Sequence, residues 1–239
     1  MFVTCIITAK DIPYFVNTAL DSLLAQSRQP DEVVIVLDGP KDDTFEIINQ
    51  RLNRVGYPIP HKIIQKSRCE GTAMARNSGI AEAQGDIIAF LDGDDWYMPD
   101  KIYRGVLALT ENNKQTPQYK AVFSNFYHLD ERGKLDIANS THGTYETLAK
   151  ECFVRPNQII LHEVFMDIGL FDPQYPQAED YDFWERYLRK YQIAYNPEPL
   201  FVYRRHRQAK VSSEDGYIRA NIERAEIQNR VKEYLKEHK

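Results

Sequence analysis

The chain has 239 residues, 43% of them hydrophobic, and its 30 Lys and Arg against 35 Asp and Glu give a formal net charge of -5. This length predicts one large domain or two small ones, with enough apolar residues for a full core. The acidic balance argues against a general nucleic-acid-binding protein, which would be basic overall.

The cysteines and the hydropathy pattern indicate the cellular compartment of the protein. Cys5, Cys69 and Cys152 are widely spaced and form neither a CxxC pair nor a Cys/His cluster, which argues against zinc and favours a reducing compartment. No window approaches the roughly 18 apolar residues of a membrane-spanning helix. Residues 1–7 run into a strand pattern without a basic leader. We expect a cytoplasmic protein that can also contact the inner face of the membrane peripherally.

Strand and helix patterns alternate through the first hundred residues. Apolar, β-branched runs predict strands at 2–8, 32–37, 61–65 and 86–91, and runs with helical spacing predict helices at 13–24, 45–52 and 72–83. This alternation is typical of βαβ units and a mostly parallel sheet. Because the strand runs are apolar on both faces, we expect helices to cover both sides of that sheet.

The second half of the chain is less regular. The patterns predict a helix at 101–110, a long strand at 119–129, a short strand at 159–161, a short helix at 164–168, a helix at 179–191 and a strand at 200–203. Apolar residues among charges at about 216–236 predict an amphipathic C-terminal helix. Such a helix most often docks on its own core, and membrane contact or homodimerisation are the alternatives.

The most acidic motif follows the fourth predicted strand. Asp92, Asp94 and Asp95 fall within four residues, directly after an apolar run. Carboxylates this close repel one another unless a cation or a hydrogen-bonded ligand lies among them. Ligands of open α/β sheets bind beyond the carboxyl ends of the strands, so the motif predicts a metal and a polar ligand there. The alternative is an Asx-rich turn that caps the next helix.

The ordered set of motifs resembles the family 2 inverting glycosyltransferases of the GT-A fold, of the kind that builds bacterial cell-surface polysaccharides. The resemblance covers roughly residues 2–212, and its segments are ARNSGI (75–80), GDIIAFLDGDDW (85–96), GLFD (169–172), AEDYDFW (178–184) and YRRH (203–206). It implies one α/β GT-A domain at 1–212, with a mostly parallel central sheet flanked by helices. The nucleotide-sugar half would cover about 1–115 and the acceptor half about 116–212, followed by a helical tail at 213–239.

The resemblance implies a hexosyl- or N-acetylhexosaminyl-transferase. The donor would be a nucleotide sugar, with a UDP-sugar expected, and the acceptor a hydroxyl of a glycan or lipid-linked saccharide. A divalent cation, Mn²⁺ or Mg²⁺, would offset the charge of the departing diphosphate. Asp92 and Asp94 match the family's Asp-x-Asp pair, so Asp94 would hold the metal and Asp92 would bind ribose hydroxyls or help the metal. Asp95 would cap the following turn or support the residues that contact the ligand, and Gly93 would keep the turn open to ligands.

Further donor contacts are implied for three residues in the first half. Thr8 and Asp38 would read the base or the ribose, and Arg76 would bind phosphate through its rigid fork of donors. Asn77 is expected to hold the loop that carries Asp92. The residues around the first two strand ends depart from the commonest family pattern, so uracil recognition stays open. The alternatives are an Asp-Gly turn for Asp38 and a surface arginine for Arg76.

A basic segment follows the last predicted strand. By the resemblance, Arg204 and His206 would meet the diphosphate, and His206 would also ligate the metal. Lys210 and Ser212 are expected in a mobile loop that closes when donor binds. The alternative is a solvated basic run.

Inversion requires a carboxylate that takes the acceptor proton while the acceptor oxygen attacks the anomeric carbon, through an oxocarbenium-like transition state. The resemblance implies Asp180 as this base, with Glu179 orienting the acceptor or the base, and the reverse assignment stays open. The alternative is that both acids only favour a helix N-terminus. Asp182 and Trp184 are expected to be structural.

Other functions have sequence requirements of their own. A sugar-nucleotide-forming nucleotidyltransferase would need a Gly-rich, Arg-bearing loop after the first strand, where residues 8–13 contain no glycine. A dinucleotide-binding dehydrogenase would need a G-x-G-x-x-G turn after a strand, and the sequence has none. A catalytically degenerate protein that binds a glycan or a partner is the remaining alternative, although the acids of the motifs are intact.

Overall fold

One mixed sheet of nine strands runs through the computed structural model, which describes residues 1–53, 57–115, 119–140, 142–154, 156–206 and 214–238. The strands are β1 (Val3–Ala9), β2 (Glu32–Leu37), β3 (His61–Gln65), β4 (Ile87–Asp92), β5 (Trp96–Tyr97), β6 (Tyr119–Leu129), β7 (Leu135–Ala138), β8 (Ile159–Leu161) and β9 (Gln192–Arg204). The helices are α1 (Val16–Leu24), α2 (Thr44–Asn53), α3 (Thr72–Glu82), α4 (Lys101–Gln115), α5 (Glu163–Ile168), α6 (Glu179–Leu188) and α7 (Glu214–Glu237), with a 3₁₀ helix at Tyr145–Ala149.

The first four strands form the parallel half of the sheet, in the order β3-β2-β1-β4. This arrangement confirms the βαβ units predicted from the alternating patterns. Strands β1, β2 and β4 are buried almost throughout. The edge strand β3 is different, because His61, Lys62 and Gln65 are exposed, so the expected cover on both faces is wrong for β3. An edge strand has a neighbour on one side only, which leaves its polar residues in contact with water.

The rest of the sheet continues in the order β8-β6-β9-β5, with β7 paired to β6. Strand β8 runs antiparallel to β4 and β6, and β9 runs parallel to β6, so β6 and β9 point in the same direction as β4. The carboxyl ends of β1, β2, β4 and β9 therefore lie at one edge of the sheet. This edge is where ligands of such sheets bind.

Strand β9 begins eight residues earlier than the predicted strand at 200–203. The part of β9 before residue 200 contains Pro197 and Pro199, and the register of β9 with β6 shifts between Ser124 and Asn125. Proline has no backbone N–H to donate to a neighbouring strand, so a sequence pattern that contains two prolines does not predict a strand here. The side-chain amide of Asn125 (Nδ2) donates to the carbonyl oxygen of Pro197 at 2.7 Å, which joins this irregular part of β9 to β6.

The C-terminal helix α7 docks on its own domain, as the predominant interpretation of its amphipathic pattern predicted. Ala220, Ile227 and Val231 on one face are buried. Tyr217 and Ile218 on the other side are exposed. Among the helices that the structure describes, none has the length and apolar character needed to cross a membrane.

Lys101, the first residue of α4, carries an unusual buried ammonium group. Its Nζ donates to the Ser124 hydroxyl at 3.1 Å and lies 5.8 Å from the ring centroid of Tyr97 and 5.2 Å from that of Phe201. Burial lowers the pKa of Lys101 to about 7, because the charged form loses its hydration. In the unfolded chain the pKa of a lysine is about 10.4.

Lys101→Met is therefore expected to stabilise the protein at pH 7 and to lose this advantage as the pH rises. Between the folded and unfolded pKa values the unfolded chain holds more protons at this site, so the contribution of Lys101 to stability improves with pH. The gap between the variant and the wild type should close by roughly 1.4 kcal/mol per pH unit above pH 7. Urea unfolding at several values from pH 7 to 10 measures this gap, and parallel stability curves for the two proteins would contradict the expectation.

Candidate active site

The edge formed by the carboxyl ends of the parallel strands collects most of the residues singled out from the sequence. Thr8 in β1 pairs in register with Asp92, the last residue of β4. Arg204 is the last residue of β9. The contacts described below join these residues to four others, namely Arg76, Asp94, Glu179 and His206. The parallel topology therefore brings distant parts of the chain to one place.

Arg76 lies between the acidic motif and the first turn of α6. Its Nη2 donates to Asp92 Oδ1 at 3.1 Å, and its Nη1 donates to Glu179 Oε1 at 3.3 Å. The Thr8 hydroxyl donates to the same oxygen of Asp92 at 3.3 Å. The guanidinium also lies 5.4 Å from the ring centroid of Phe171. The alternative of a surface arginine is wrong, because Arg76 is buried.

This arrangement fixes the charge of Arg76. Burial opposes the charge, but the carboxylates of Asp92 and Glu179 outweigh it and hold the pKa of Arg76 above its ordinary value. Its end nitrogens are paired with carboxylates. A direct contact with phosphate stays a prediction, and the observed geometry is that of a link between the acidic motif and α6.

Asp95 fastens three segments of the chain together. Its Oδ2 accepts from Asn157 Nδ2 at 2.8 Å and its Oδ1 accepts from the backbone N–H of Arg204 at 2.9 Å. Asn157 Oδ1 in turn accepts from the backbone N–H of Asp92 at 2.9 Å. Burial, with the neighbouring carboxylates of Asp94 and Asp92, raises the pKa of Asp95 well above its ordinary value. Asp95 thus does more than cap the following turn, because it ties the acidic motif to the end of β9.

Asn157 is a positioning residue that the sequence reasoning missed. It is fully buried and has a φ of +60°, in the left-handed region. Asparagine is among the few residues other than glycine that adopt this region readily. Its signal in the sequence is one asparagine in a loop, which no periodic pattern or motif distinguishes.

Asp94 and His206 form a second contact at the same edge. His206 Nε2 lies 2.8 Å from Asp94 Oδ2, and the imidazole packs on the ring of Phe15 with centroids 4.7 Å apart. The Arg204 guanidinium lies 4.6 Å from the centroid of Phe15 and 4.9 Å from that of Trp96. Phe15, just before α1, therefore supports both basic residues, and the sequence reasoning did not identify it.

The predicted metal ligands are only partly brought together. Asp94 and His206 face each other, whereas Asp92 pairs with Arg76. Within the described residues, no group of three or more His, Cys, Asp or Glu side chains could hold a metal ion. A carboxylate oxygen is a suitable ligand for Mn²⁺ or Mg²⁺, whereas an imidazole nitrogen suits the transition metal Mn²⁺ better than the harder Mg²⁺. Asp94 and His206 therefore fit a divalent cation provided that phosphate oxygens of a ligand complete its coordination, which is common for Mg²⁺ at nucleotide sites.

Asp38, just after β2, is engaged by the loop that leads into α3. Its carboxylate accepts from the backbone N–H groups of Glu70 and Gly71, both at 2.8 Å, and lies 3.2 Å from the Cys69 sulfur. This geometry shows a structural role, the holding of the loop that leads into α3. Contact with a base or ribose stays a prediction for Asp38.

Two smaller expectations are wrong. Asn77 holds the backbone of Phe171, with bonds of 2.8 and 3.0 Å, and not the loop of Asp92. The space beside Gly93 is filled by the protein, because a Cβ there would lie 2.7 Å from Ile12 Cδ1 and 3.0 Å from the carbonyl oxygen of Thr8. Glycine is thus needed at this position because the end of β1 packs against it, and not to admit a ligand.

The two candidate catalytic acids differ in their surroundings. Glu179 is buried against Arg76, whereas Asp180 is half-buried and accepts from the backbone N–H of Tyr181 at 2.7 Å. Asp182 and Trp184 are buried in the structure, as expected, and Trp184 packs edge-on against its aromatic neighbours. The predictions for Lys210 and Ser212 fall outside the described residues.

Comparison with known proteins relates these motifs to a family. A family model described as Glycosyl transferase family 2 matches residues 4–169. An uncharacterized glycosyltransferase of Rickettsia typhi is 29% identical over 204 residues, which are 80% of this chain and 60% of that protein. The Escherichia coli UDP-Glc:alpha-D-GlcNAc-diphosphoundecaprenol beta-1,3-glucosyltransferase WfaP is 27% identical over 215 residues, which are 88% of this chain and 80% of that protein. The chain thus spans about 60% of the length of the Rickettsia relatives that it matches first.

Solved structures share the fold. S. aureus TarS 1-349 in complex with UDP-GlcNAc has a TM-score of 0.70 at 19% identity, covering 93% of this chain and 65% of that chain. The mannosyltransferase PcManGT from Pyrobaculum calidifontis, in complex with GDP-Man and Mn²⁺, has a TM-score of 0.62 at 17% identity, covering 84% of this chain and 56% of that chain. The α/β GT-A fold that the motifs implied is thereby confirmed.

Proposed function

Because this chain belongs to glycosyl transferase family 2, we propose that it transfers a sugar, with inversion, from a nucleotide sugar to an acceptor hydroxyl. The observation that carries the proposal is the link through Arg76 between Asp92 of the acidic motif and Glu179 of α6. This link supports a single site in which the donor residues lie near the first turn of α6, which carries the candidate base. A transferase needs both within reach of a single sugar.

The donor side of the site consists of Asp94, His206 and Arg204. Asp94 and His206 would hold Mn²⁺ or Mg²⁺, which would offset the charge of the departing diphosphate when bound. The Arg204 guanidinium, which lies near the rings of Phe15 and Trp96, places a positive charge near Asp94 and Asp95. Asp92 is oriented by Arg76 and Thr8 and could accept from ribose hydroxyls. These residues support the binding of a nucleoside diphosphate.

The base side consists of Asp180. Glu179 is already neutralised by Arg76, so proton transfer to Glu179 would break that ion pair. Asp180 is more exposed than Glu179 and lies in the first turn of α6, so an acceptor hydroxyl has freer access to its carboxylate. In the transfer, the acceptor oxygen forms a bond to the anomeric carbon and gives its proton to Asp180. The bond from that carbon to the diphosphate oxygen breaks, and its electron pair leaves with the diphosphate.

The relatives support a narrower choice of donor and acceptor. WfaP is named for a UDP-Glc donor and a GlcNAc-diphosphoundecaprenol acceptor, and TarS 1-349 is described in complex with UDP-GlcNAc. We therefore extend the proposal to a UDP-hexose or UDP-N-acetylhexosamine donor and a glycan or lipid-linked acceptor. Contact with a membrane surface, or a homodimer, through the exposed Tyr217, Ile218 and Ile222 of α7 stays a prediction.

A thermal-shift comparison of nucleotides tests the donor. At about 100 times the dissociation constant, UDP with MnCl₂ should add about 2.7 kcal/mol of stability. For a chain of this size that corresponds to a rise in Tm of roughly 5–10 °C. GDP and dTDP with MnCl₂ should raise Tm less, and EDTA should reduce the effect of UDP. Equal shifts for all three nucleotides, or none, would contradict the UDP assignment, and a UDP shift without turnover of UDP-sugars would favour a degenerate binding protein.

A further inference from the structure

Helix α7 lies against the segment that carries the proposed catalytic acids. Both α6 and α7 follow the residues 4–169 that the family model matches, so the match assigns no role to either helix. Ile227 and Val231 of α7 are buried. Polar contacts from the same helix reach the residues just before α6 and the inner side of α6 itself.

The first contact fixes the backbone that leads into α6. Glu223 of α7 is buried, and its Oε2 accepts from the backbone N–H of Gln177 at 2.8 Å. Gln177 lies two residues before Glu179. The hydroxyl of Tyr175 donates to Glu226 Oε1 of α7 at 2.8 Å. The loop before the catalytic turn is therefore held by α7 at two points.

The second contact neutralises the buried acids of α6. Arg230 Nη2 donates to Asp182 Oδ1 at 2.6 Å and lies 3.0 Å from Glu185 Oε2. Both acids are buried, and each also pairs with an arginine in or directly after α6, so Arg230 adds a bond from α7 to an existing ion pair. Arg230 thus attaches α7 to α6 at positions two and five residues beyond Asp180.

We propose that α7 positions the catalytic turn of α6, with Glu223 as the positioning residue, an inference that rests on the proposed function. A carboxylate that accepts a backbone N–H makes a stronger bond than a neutral acceptor. That bond sets where α6 begins and so where the Asp180 carboxylate meets an acceptor. Displacements of about 1 Å can lower turnover by about 100-fold, so a loosened helix start would lower turnover with little effect on donor binding.

The test compares Glu223→Ala with Tyr234→Ala. Tyr234 is also on α7, but it packs on Arg189 at the other end of α6, with the guanidinium 4.5 Å from its ring centroid. Amide hydrogen exchange in residues 175–182 should become faster in Glu223→Ala and stay unchanged in Tyr234→Ala. With MnCl₂ and UDP-glucose or UDP-GlcNAc, kcat for UDP release should fall about tenfold in Glu223→Ala only, and the donor KM should change less than about twofold.

Glu223→Gln retains an acceptor oxygen without the charge, so its exchange and turnover should lie between those of the wild type and Glu223→Ala. Unchanged exchange at 175–182 in Glu223→Ala would overturn the inference, as would an equal loss of kcat in Tyr234→Ala. If Glu223→Ala does not fold, wild-type exchange and turnover in Glu223→Gln would likewise overturn it. If exchange is faster in Glu223→Ala but the wild type releases no UDP, the result would support the contact between α7 and α6. The same result would contradict the proposed function.

Discussion

Asp180→Asn is expected to abolish sugar transfer while leaving nucleotide binding intact. The amide cannot take the acceptor proton, but its oxygen can still accept from the backbone N–H of Tyr181. Loss of a general base typically costs about 10²–10⁴ in rate, so kcat should fall by roughly that factor. Release of UDP from UDP-glucose or UDP-GlcNAc measures turnover, and the Tm shift produced by UDP with MnCl₂ measures binding.

Glu179→Gln is the matched comparison for this variant. Its amide oxygen can still accept from Arg76, so the neighbouring acid is changed with little loss of geometry. We expect a smaller loss of kcat than in Asp180→Asn, together with a lower Tm because Arg76 keeps only one charged partner. Wild-type turnover in Asp180→Asn, or a larger loss in Glu179→Gln, would transfer the base role away from Asp180.

Asp94→Asn is expected to remove the metal-dependent part of donor binding. The variant loses the charge that faces His206, and a neutral amide is a weak ligand for Mn²⁺ or Mg²⁺. The Tm shift with UDP and MnCl₂ should fall to that seen with UDP and EDTA. A metal ion contributes several kcal/mol to such a transition state, so kcat/KM should fall by roughly 10²–10³.

Asp100→Asn provides the control for Asp94→Asn. Asp100 follows the same acidic motif, but its carboxylate accepts from the hydroxyl of Ser27 at 2.6 Å, away from His206. Removal of this charge should leave both the Tm shift and the turnover unchanged. Metal-dependent UDP binding that survives in Asp94→Asn would show that the cation is held elsewhere.

Several strands were predictable because their signals are local. The bounds of β2, β3, β6 and β8 coincide with the apolar runs that predicted them. Strand β5 has two residues, and β7 has mostly exposed residues at 135–138, so neither carries a buried pattern. These strands form because neighbouring strands offer free backbone groups, and a local pattern does not reveal such groups.

The sequence predicted residues of the candidate site only where they belong to recognisable motifs. The position of Asp92 and Asp94 directly after an apolar run was enough to predict that they lie at the carboxyl edge of the sheet. Asn157 and Asp95 meet across 62 positions, and Arg230 and Asp182 across 48, through contacts that no spacing in the sequence encodes. Arg76 shows the same limit, since its pairing with Glu179 depends on where α6 packs. Motifs thus identified most residues of the candidate site, and tertiary packing determined what they contact and added Asn157 and Phe15.

The central claim is that Asp94 belongs to the donor side and Asp180 to the base side of one transfer site. The most direct test measures UDP binding with MnCl₂ and UDP release from a UDP-sugar for Asp94→Asn and Asp180→Asn side by side. We predict that Asp94→Asn loses both metal-dependent binding and turnover, whereas Asp180→Asn loses turnover alone. Metal-dependent UDP binding and turnover that both persist in Asp94→Asn, or UDP binding lost in Asp180→Asn, would contradict the claim.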